Sequence, residues 1–179
     1  AQIEQGNAVF NANLNSQDGI EIKVLKNNVT FNGDVIANND IDIEVLSDKT
    51  VTIKGTNVTT GLEKNISVTG KIELDNDATF TGKNIQFDSS SIISALNRNQ
   101  TYSGILYINN DNTLIDTNIL SCSNDFYIQK DLTFKVNVIN LEKNISSGGN
   151  LIFSEKDVTI NTSNEYDKAL VNWTGQTLF

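Results

Sequence analysis

Two groups of carboxylates are the residues of this chain whose types and spacing could do chemistry. Asp40, Asp42 and Glu44 occupy alternate positions and would point to one side of an extended strand, and Asp75 and Asp77 bracket a turn. Closely placed carboxylates act as general acid and base in enzymes that cleave polysaccharides, or they hold calcium. Neither group is followed by aligned carboxylates with a partner Lys or Arg. We therefore interpret both groups as solvated charge and predict that the protein is not an enzyme.

The composition of the chain excludes several kinds of function. The 179 residues include no His, so the usual general base and zinc ligand is missing. The net charge of -9 disfavours a nucleic-acid partner, because the phosphate backbone attracts basic surfaces. The chain has no apolar run long enough to span a membrane. We expect no catalytic residue, no cofactor, no metal ion, no nucleic-acid partner and no membrane insertion.

Short runs of alternating apolar and polar residues fill most of the chain and predict half-buried strands. Only SIISALN (Ser91–Asn97) has a pattern compatible with a turn or two of helix. The chain contains 27 Asn, which fall mainly between the runs, where turns favour them. The runs are Ile20–Val24, Val29–Phe31, Ile41–Val45, Val51–Ile53, Ile72–Leu74, Ile85–Phe87, Ile105–Tyr107, Phe126–Ile128, Val136–Val138 and Val158–Ile160.

The runs form three interleaved series, each with a step of roughly 21 residues. Three short strands per coil of this length predict an all-β fold, a β-solenoid (parallel β-helix) with a triangular cross-section. A β-sandwich, which also spaces short strands closely, is the alternative. The first series passes through Ile22, Ile43, Ile66, Gln86, Leu106, Tyr127 and Ile145, the second through Phe31, Thr52, Glu73, Ile93, Leu114, Lys135 and Thr159, and the third through Ile36, Val58, Phe80, Ile119 and Leu141, with a gap near Thr101.

The hexapeptide LEKNIS occurs at Leu62–Ser67 and again at Leu141–Ser146. The two copies are about 80 residues apart, which is close to four coils of about 20 residues. Each copy places a polar pair ending in Asn immediately before an apolar strand residue, as a corner of the coil requires. We predict that the two copies form the same corner four coils apart, and that stacked Asn side chains form ladders along such corners.

The whole chain, residues 1–179, is predicted to form a single solenoid domain of about eight coils. A solenoid exposes an open strand edge at each end. Residues 1–19 and 165–179 are therefore predicted to be caps or strands that pair with another molecule. Trp173, Leu178 and Phe179, near the C-terminus, are the candidate residues for such an inter-subunit contact.

Threonine pairs raise the question of an ice-binding surface, which needs a flat Thr array on every coil. Thr50 with Thr52, and Thr59 with Thr60, are such pairs, but in the sequence the pattern lapses after one or two coils. Because Thr also favours strands for packing reasons, we interpret these residues as ordinary strand positions.

Two stretches of the chain have the residue pattern of a known repeat family. NGDVIANNDIDIEVLSDKTVTIKGTNVT (32–59) and GGNLIFSEKDVTINTSN (148–164) resemble the β-helical repeats of filamentous-hemagglutinin-type exoproteins and autotransporter passengers. The chain has no Pro, so it departs from the Pro-containing signature of the family's secretion domain. The resemblance implies a stalk region of a secreted, surface-displayed bacterial or archaeal protein used for adhesion, aggregation or spacing.

These observations lead to one main hypothesis and two alternatives. The main hypothesis is a non-enzymatic, extracellular β-solenoid segment of a surface adhesin, acting as a rigid stalk or as a surface that binds a cell-surface ligand or carbohydrate. The first alternative is a subunit of an extracellular filament that assembles end to end with copies of itself by strand addition. The second is a β-helix enzyme acting on polysaccharides or a phage tail-spike fragment, in which changing Asp42 or Asp75 would abolish cleavage.

Overall fold

The computed structural model describes residues 2–3, 6–155, 157–162, 171–173 and 177–178. Every regular element in this part of the chain is a strand, and no helix there is long and apolar enough to cross a membrane. The strands are β1 (Gln2–Ile3), β2 (Ala8–Phe10), β3 (Leu14–Ser16), β4 (Ile20–Val24), β5 (Val29–Phe31), β6 (Val35–Ala37), β7 (Ile41–Val45), β8 (Thr50–Ile53), β9 (Asn57–Thr59), β10 (Asn65–Thr69), β11 (Lys71–Leu74), β12 (Ala78–Thr81), β13 (Asn84–Asp88), β14 (Ser91–Ser94), β15 (Asn99–Tyr102), β16 (Ile105–Ile108), β17 (Thr113–Cys122), β18 (Phe126–Ile128), β19 (Leu132–Leu141), β20 (Ile145–Ser147), β21 (Leu151–Phe153), β22 (Thr159–Thr162), β23 (Val171–Trp173) and β24 (Thr177–Leu178).

All strand pairs are parallel, and each strand pairs with strands about one coil away, so the chain winds as a β-solenoid of about seven turns. Face 1 consists of β1, β4, β7, β10, β13, β16, β18, β20 and β23. Face 2 contains β2, β5, β8, β11, β14, β21 and β24, and face 3 contains β3, β6, β9, β12, β15 and β22. The long strands β17 and β19 turn the corner between faces 2 and 3 and contribute to both. The predicted triangular solenoid is confirmed.

The predicted corner repeat is also confirmed by the register of face 1. Ile66 of the first LEKNIS copy pairs with Ile85, and the column continues through Leu106 and Phe126 to Ile145 of the second copy. The two copies therefore lie four turns apart at equivalent positions. The hexapeptide occurs twice because the same corner of the solenoid is formed at both positions.

The core is a set of apolar columns inside the triangle. Alternate residues of each strand point inward, so one register position contributes one stacked column. On face 3, Val58, Phe80, Tyr102 and Cys122 form such a column and are almost fully buried. The rings of Phe80 and Tyr102 stack with centroids 5.3 Å apart. In this column each turn places an apolar residue on the turn below, so apolar burial is continuous along it.

Asparagine and aspartate ladders hold the corners together. At the corner between faces 2 and 3, the Asn118 amide donates to the Asn99 side-chain oxygen at 3.1 Å, and Asn137 donates to Asn118 at 3.1 Å. At the corner between faces 3 and 1, Asn84 donates to Asn65 at 2.8 Å. These side-chain bonds join successive turns at the corners, in addition to the backbone pairing that Asn65 and Asn84 also make. The Asn ladders predicted from the sequence are therefore present.

The structure differs from the sequence prediction at three points. The segment SIISALN is not helical: Ser91–Ser94 is β14, in which Ile92 and Ser94 face inward, and a turn follows. The gap in the third series is filled by β15. Thr159 pairs with Val138 and so belongs to face 3, while the second series continues at Leu151–Phe153. In each case a short or polar strand hid the periodicity.

Candidate binding surface

The outward side of face 1 carries a row of side chains whose chemistry changes along the axis. Successive paired residues at one register position run from acidic through polar to aromatic. The polypeptide presents this row because alternate residues of each parallel strand point away from the core. The row consists of Glu21, Asp42, Ser67, Gln86, Tyr107 and Tyr127.

The acidic end of face 1 contains one ion pair and one perturbed carboxyl. Lys23 Nζ lies 2.6 Å from Glu44 Oε2, and both side chains are partly exposed. Partial burial raises the pKa of Asp42, the Glu44 and Glu21 carboxylates raise it further, and a hydrogen bond from Ser67 opposes the shift. This end of the face thus concentrates negative charge, with Lys23 offsetting part of it.

The other end of face 1 carries a stacked pair of tyrosines. The rings of Tyr107 and Tyr127 lie with centroids 5.2 Å apart and planes 20° apart, and Tyr127 is 41% exposed. The Asp125 carboxylate near the Tyr127 hydroxyl raises the pKa of that phenol. Beside the pair is a shallow depression lined by Asn65, Ser67, Asn84, Gln86 and Tyr107. An aromatic platform next to amide and hydroxyl groups suits a ligand with both apolar and polar faces.

The carboxylates singled out in the sequence do not form one site. Asp42 and Glu44 point outward from face 1, while Asp40 lies at the preceding corner and accepts a 2.7 Å hydrogen bond from the Asn65 backbone N–H. Asp75 follows a face 2 strand and lies 3.6 Å from Lys54, and Asp77 accepts a hydrogen bond from the Asn99 backbone N–H at 3.0 Å. Asp40 and Asp77 therefore act in corners, and Glu44 and Asp75 act in ion pairs, which leaves Asp42 as the one of the five without either role among the described contacts.

The candidate inter-subunit residues lie at the C-terminal end of the stack. Trp173 is in β23 and pairs with Ser147 of face 1, and Leu178 is in β24 and pairs with Ile152 of face 2. Phe179 lies outside the described residues. Among the described strands, β23 and β24 come last in the strand orders of their sheets, and the inter-subunit contact of these residues stays a prediction.

Within residues 6–155 and 157–162, no group of three or more His, Cys, Asp or Glu side chains is arranged to hold a metal ion. Cys122 lies in the core, and burial raises the pKa of its thiol well above the usual range. A protonated, buried thiol is a poor nucleophile and behaves as a small apolar side chain.

Sequence reasoning missed the tyrosine pair. The sequence pattern places Tyr107 and Tyr127 within strand runs, and their stacking depends on the exact register of β16 and β18. The signal was present in the 20-residue spacing between two Tyr in runs of the same series.

Comparison of the chain with protein-family models, with curated proteins and with solved structures gave no significant match. The class is therefore defined by the fold itself: the chain is a repeat protein of the parallel β-solenoid type.

Proposed function

We propose that the chain is a non-enzymatic segment of an extracellular surface adhesin, a rigid stalk whose face 1 binds a cell-surface carbohydrate. The single observation that carries the stalk function is the continuity of hydrogen bonding along the axis: parallel ladders on three faces and side-chain ladders at the corners. Such a stack resists bending because each turn is bonded to the next along its whole perimeter. The resemblance to hemagglutinin-type repeats supports the extracellular setting.

Face 1 supports the binding function. Sugar rings have apolar C–H faces that pack on aromatic rings, and hydroxyl edges that bond to amides and carboxylates. The Tyr107–Tyr127 pair supplies the platform, and Gln86 and Ser67 supply polar groups on the adjoining strands. A neutral or basic glycan is favoured over an acidic one, because Glu21 and Asp42 lie further along the same row.

Binding to a glycan array tests the carbohydrate partner. The wild-type chain is expected to retain a defined set of neutral or amino-sugar glycans, and Tyr107→Ala with Tyr127→Ala is expected to lose them. The matched control is Thr30→Ala with Thr52→Ala, which makes two paired outward alanine changes on face 2 and leaves face 1 intact. Equal binding by the wild type and the face 1 double variant would contradict the assignment of this face.

Antibody labelling of intact cells of the source organism tests the extracellular setting. The segment is expected to be accessible without permeabilisation. Labelling that requires permeabilised cells would refute the surface location, whatever the glycan experiment gives.

Filament formation is the second candidate, because β23 and β24 each pair on only one side among the described strands. Edge strands present unpaired backbone groups to a further molecule. Negative-stain electron microscopy over a concentration series separates the two proposals. Isolated rods about 34 Å long, from about seven turns at about 4.8 Å each, are expected for a stalk. Long filaments with that axial repeat would instead make self-assembly the function.

A further inference from the structure

The corner between faces 2 and 3 changes width from one turn to the next. Five residues separate Ile93 from Asn99 at this corner, whereas two residues separate their partners Asp116 and Ile119 in β17. β19 passes the same corner with two residues as well. The three additional residues of the wider turn form a loop, residues 95–97, whose side chains are all exposed.

A cleft lies where this loop meets the tighter corners of the following turns. Its volume is about 190 Å³, below the roughly 300–1,000 Å³ of pockets that hold drug-sized ligands. It therefore suits a single side chain or a very small molecule. We define the corner cleft by Leu96, Asp116, Asn118, Lys135, Asn137 and Glu155.

The loop at the rim of the corner cleft has a defined shape. The Arg98 N–H donates to the Ala95 carbonyl at 3.0 Å, and Asn97 adopts a left-handed backbone with φ of 61°. The Arg98 carbonyl accepts the backbone N–H of Asn118 at 2.9 Å, which ties the loop to the next turn. Leu96, in the middle of the loop, is 89% exposed. The rim therefore presents an apolar side chain from a braced backbone.

The charges in the corner cleft do not balance. Lys135 Nζ lies 2.8 Å from Asp116 Oδ2 of the preceding turn. The hydrogen bond to Asp116 raises the pKa of Lys135, and the Asp116 and Glu155 carboxylates raise it further, against a smaller opposing effect of desolvation. Two carboxylates and one ammonium leave one unit of negative charge among the lining side chains, so the corner cleft favours a cation.

Two hydrogen-bond acceptors in the corner cleft are open. The Asn137 amide donates to Asn118 Oδ1 at 3.1 Å and is the last Asn of its ladder, because the register of β19 with β22 places Val158 at the next position. Among the described residues, no group donates a hydrogen bond to Asn137 Oδ1 or to the Glu155 carboxylate. A ligand that donates hydrogen bonds can satisfy both.

We propose that the corner cleft binds a lysine side chain of a partner protein. A lysine ammonium carries three N–H donors and no acceptor, which matches the Glu155 carboxylate and Asn137 Oδ1, and it supplies the missing positive charge. The aliphatic stem of lysine packs along apolar surface while its charged end stays among polar groups, and Leu96 provides that surface at the rim. The corner cleft lies away from face 1, so this inference does not depend on carbohydrate binding.

An NMR titration of the isotope-labelled 179-residue chain with the peptide acetyl-Gly-Lys-Gly-amide tests the proposal. The backbone amide signals of Leu96, Asn137 and Glu155 are expected to shift and to saturate. The same peptide with its lysine acetylated keeps the stem and loses the charge, and it should leave these signals unchanged. The test variant is Glu155→Gln, and the matched control is Glu142→Gln, which removes the same charge at an exposed position of another corner.

Glu155→Gln is expected to raise the dissociation constant of the lysine peptide at least about tenfold, and Glu142→Gln less than about twofold. Thermal melts followed by circular dichroism establish that both variants keep the wild-type fold. Absence of the shifts, equal binding of the acetylated peptide, or wild-type affinity in Glu155→Gln would overturn the proposal. Tighter binding of glucosamine than of the peptide would also overturn it and assign the corner cleft to an amino sugar.

The double variant Tyr107→Ala with Tyr127→Ala separates this test from the test of face 1. It leaves the corner cleft unchanged and is expected to bind the lysine peptide with wild-type affinity. A failure of the lysine proposal therefore leaves the carbohydrate proposal standing, and the reverse also holds.

Discussion

Replacing Tyr102 by Phe tests whether the polar groups inside the solenoid form one cooperative network. The Tyr102 hydroxyl donates to Gln100 Oε1 at 2.8 Å, and Gln100 Nε2 donates to Ser94 Oγ at 3.0 Å. Ser94 and Thr117 share a hydroxyl contact of 3.2 Å, and Thr117 donates to the Arg98 carbonyl at 2.9 Å. Neither Tyr102 nor Gln100 has any exposed surface. These groups interrupt the apolar columns and must satisfy one another.

The expected cost follows from this geometry. Phe keeps the ring contacts of Tyr102 with Phe80 and Phe87 and removes only the hydroxyl. The Gln100 side-chain oxygen then loses its donor at a site without solvent. A buried acceptor left unpaired costs about 1–3 kcal/mol, so we expect the free energy of unfolding to fall by that amount.

Urea denaturation followed by circular dichroism measures the loss as a lower midpoint at unchanged slope. The matched control is Tyr107→Phe, the same substitution on the solvent side of face 1, which should change the free energy of unfolding by less than about 0.5 kcal/mol. Adding Gln100→Leu to Tyr102→Phe should cost less than the sum of the two single changes, because both partners are then removed. A loss for Tyr102→Phe no greater than for Tyr107→Phe would refute the network.

Three further predictions concern a corner, a glycine and alkaline pH. Asp34→Ala should lower the free energy of unfolding at pH 7 by about 1–3 kcal/mol. Partial burial raises the pKa of Asp34, but the hydrogen bonds from Asn57 and Thr56 outweigh it, so the net pKa is lowered. The stabilisation by the Asp34 carboxylate is therefore present above its unfolded pKa near 3.9 and is lost as pH falls through its lower folded pKa. In urea titrations, the difference in free energy of unfolding between wild type and variant should vanish over that range. Gly55→Ala should lower the melting temperature, with a cost of about 1–3 kcal/mol, because the added Cβ would lie 2.4 Å from the Gly33 carbonyl oxygen; an unchanged melting temperature would contradict this packing. Burial raises the pKa of the Cys122 thiol, so the stability gained by burying the neutral thiol is fully present below the unfolded pKa near 8.5 and is lost as pH rises above it. The urea midpoint of the wild type should therefore fall between pH 8 and 11, and that of Cys122→Ala should fall less steeply.

The fold could be predicted from the sequence because apolar residues recur with the period of the coil. Ile22, Ile43 and Ile66 recur with the coil, and their side chains are buried at equivalent or adjacent inward positions of face 1. The prediction failed where a buried polar residue interrupts a column of apolar residues. Leu74 is followed on the next turn by Ser94, which is buried and polar, so β14 lost its apolar signature. Hydrogen bonds from side chains outside the strand, such as that from Gln100, compensate for this change and are not visible in a local pattern.

The candidate surfaces could not be predicted in the same way, because they depend on register rather than on type. On face 3, Thr79 and Thr101 are 22 residues apart and become neighbours only when β12 pairs with β15. A shift of one residue in that pairing would turn one of the two side chains into the core. Residue types therefore predicted the interior well, whereas the exterior required the exact pairing of strands.

The corners explain how rows of outward side chains stay aligned on each face although the number of residues per coil varies. Asp40 and Asn65 are hydrogen-bonded over a separation of 25 residues, whereas Asn65 and Asn84 are bonded over 19. The longer coil carries its extra residues in the corner that contains exposed Leu62, where Lys64 N–H donates to the Gly61 carbonyl in a turn. Strand register on either side is unchanged by this turn, since Ile66 still pairs with both Ile41 and Ile85. Because corners absorb changes in length, rows on the faces keep their alignment, and each face of the solenoid can acquire its own binding chemistry on one common core.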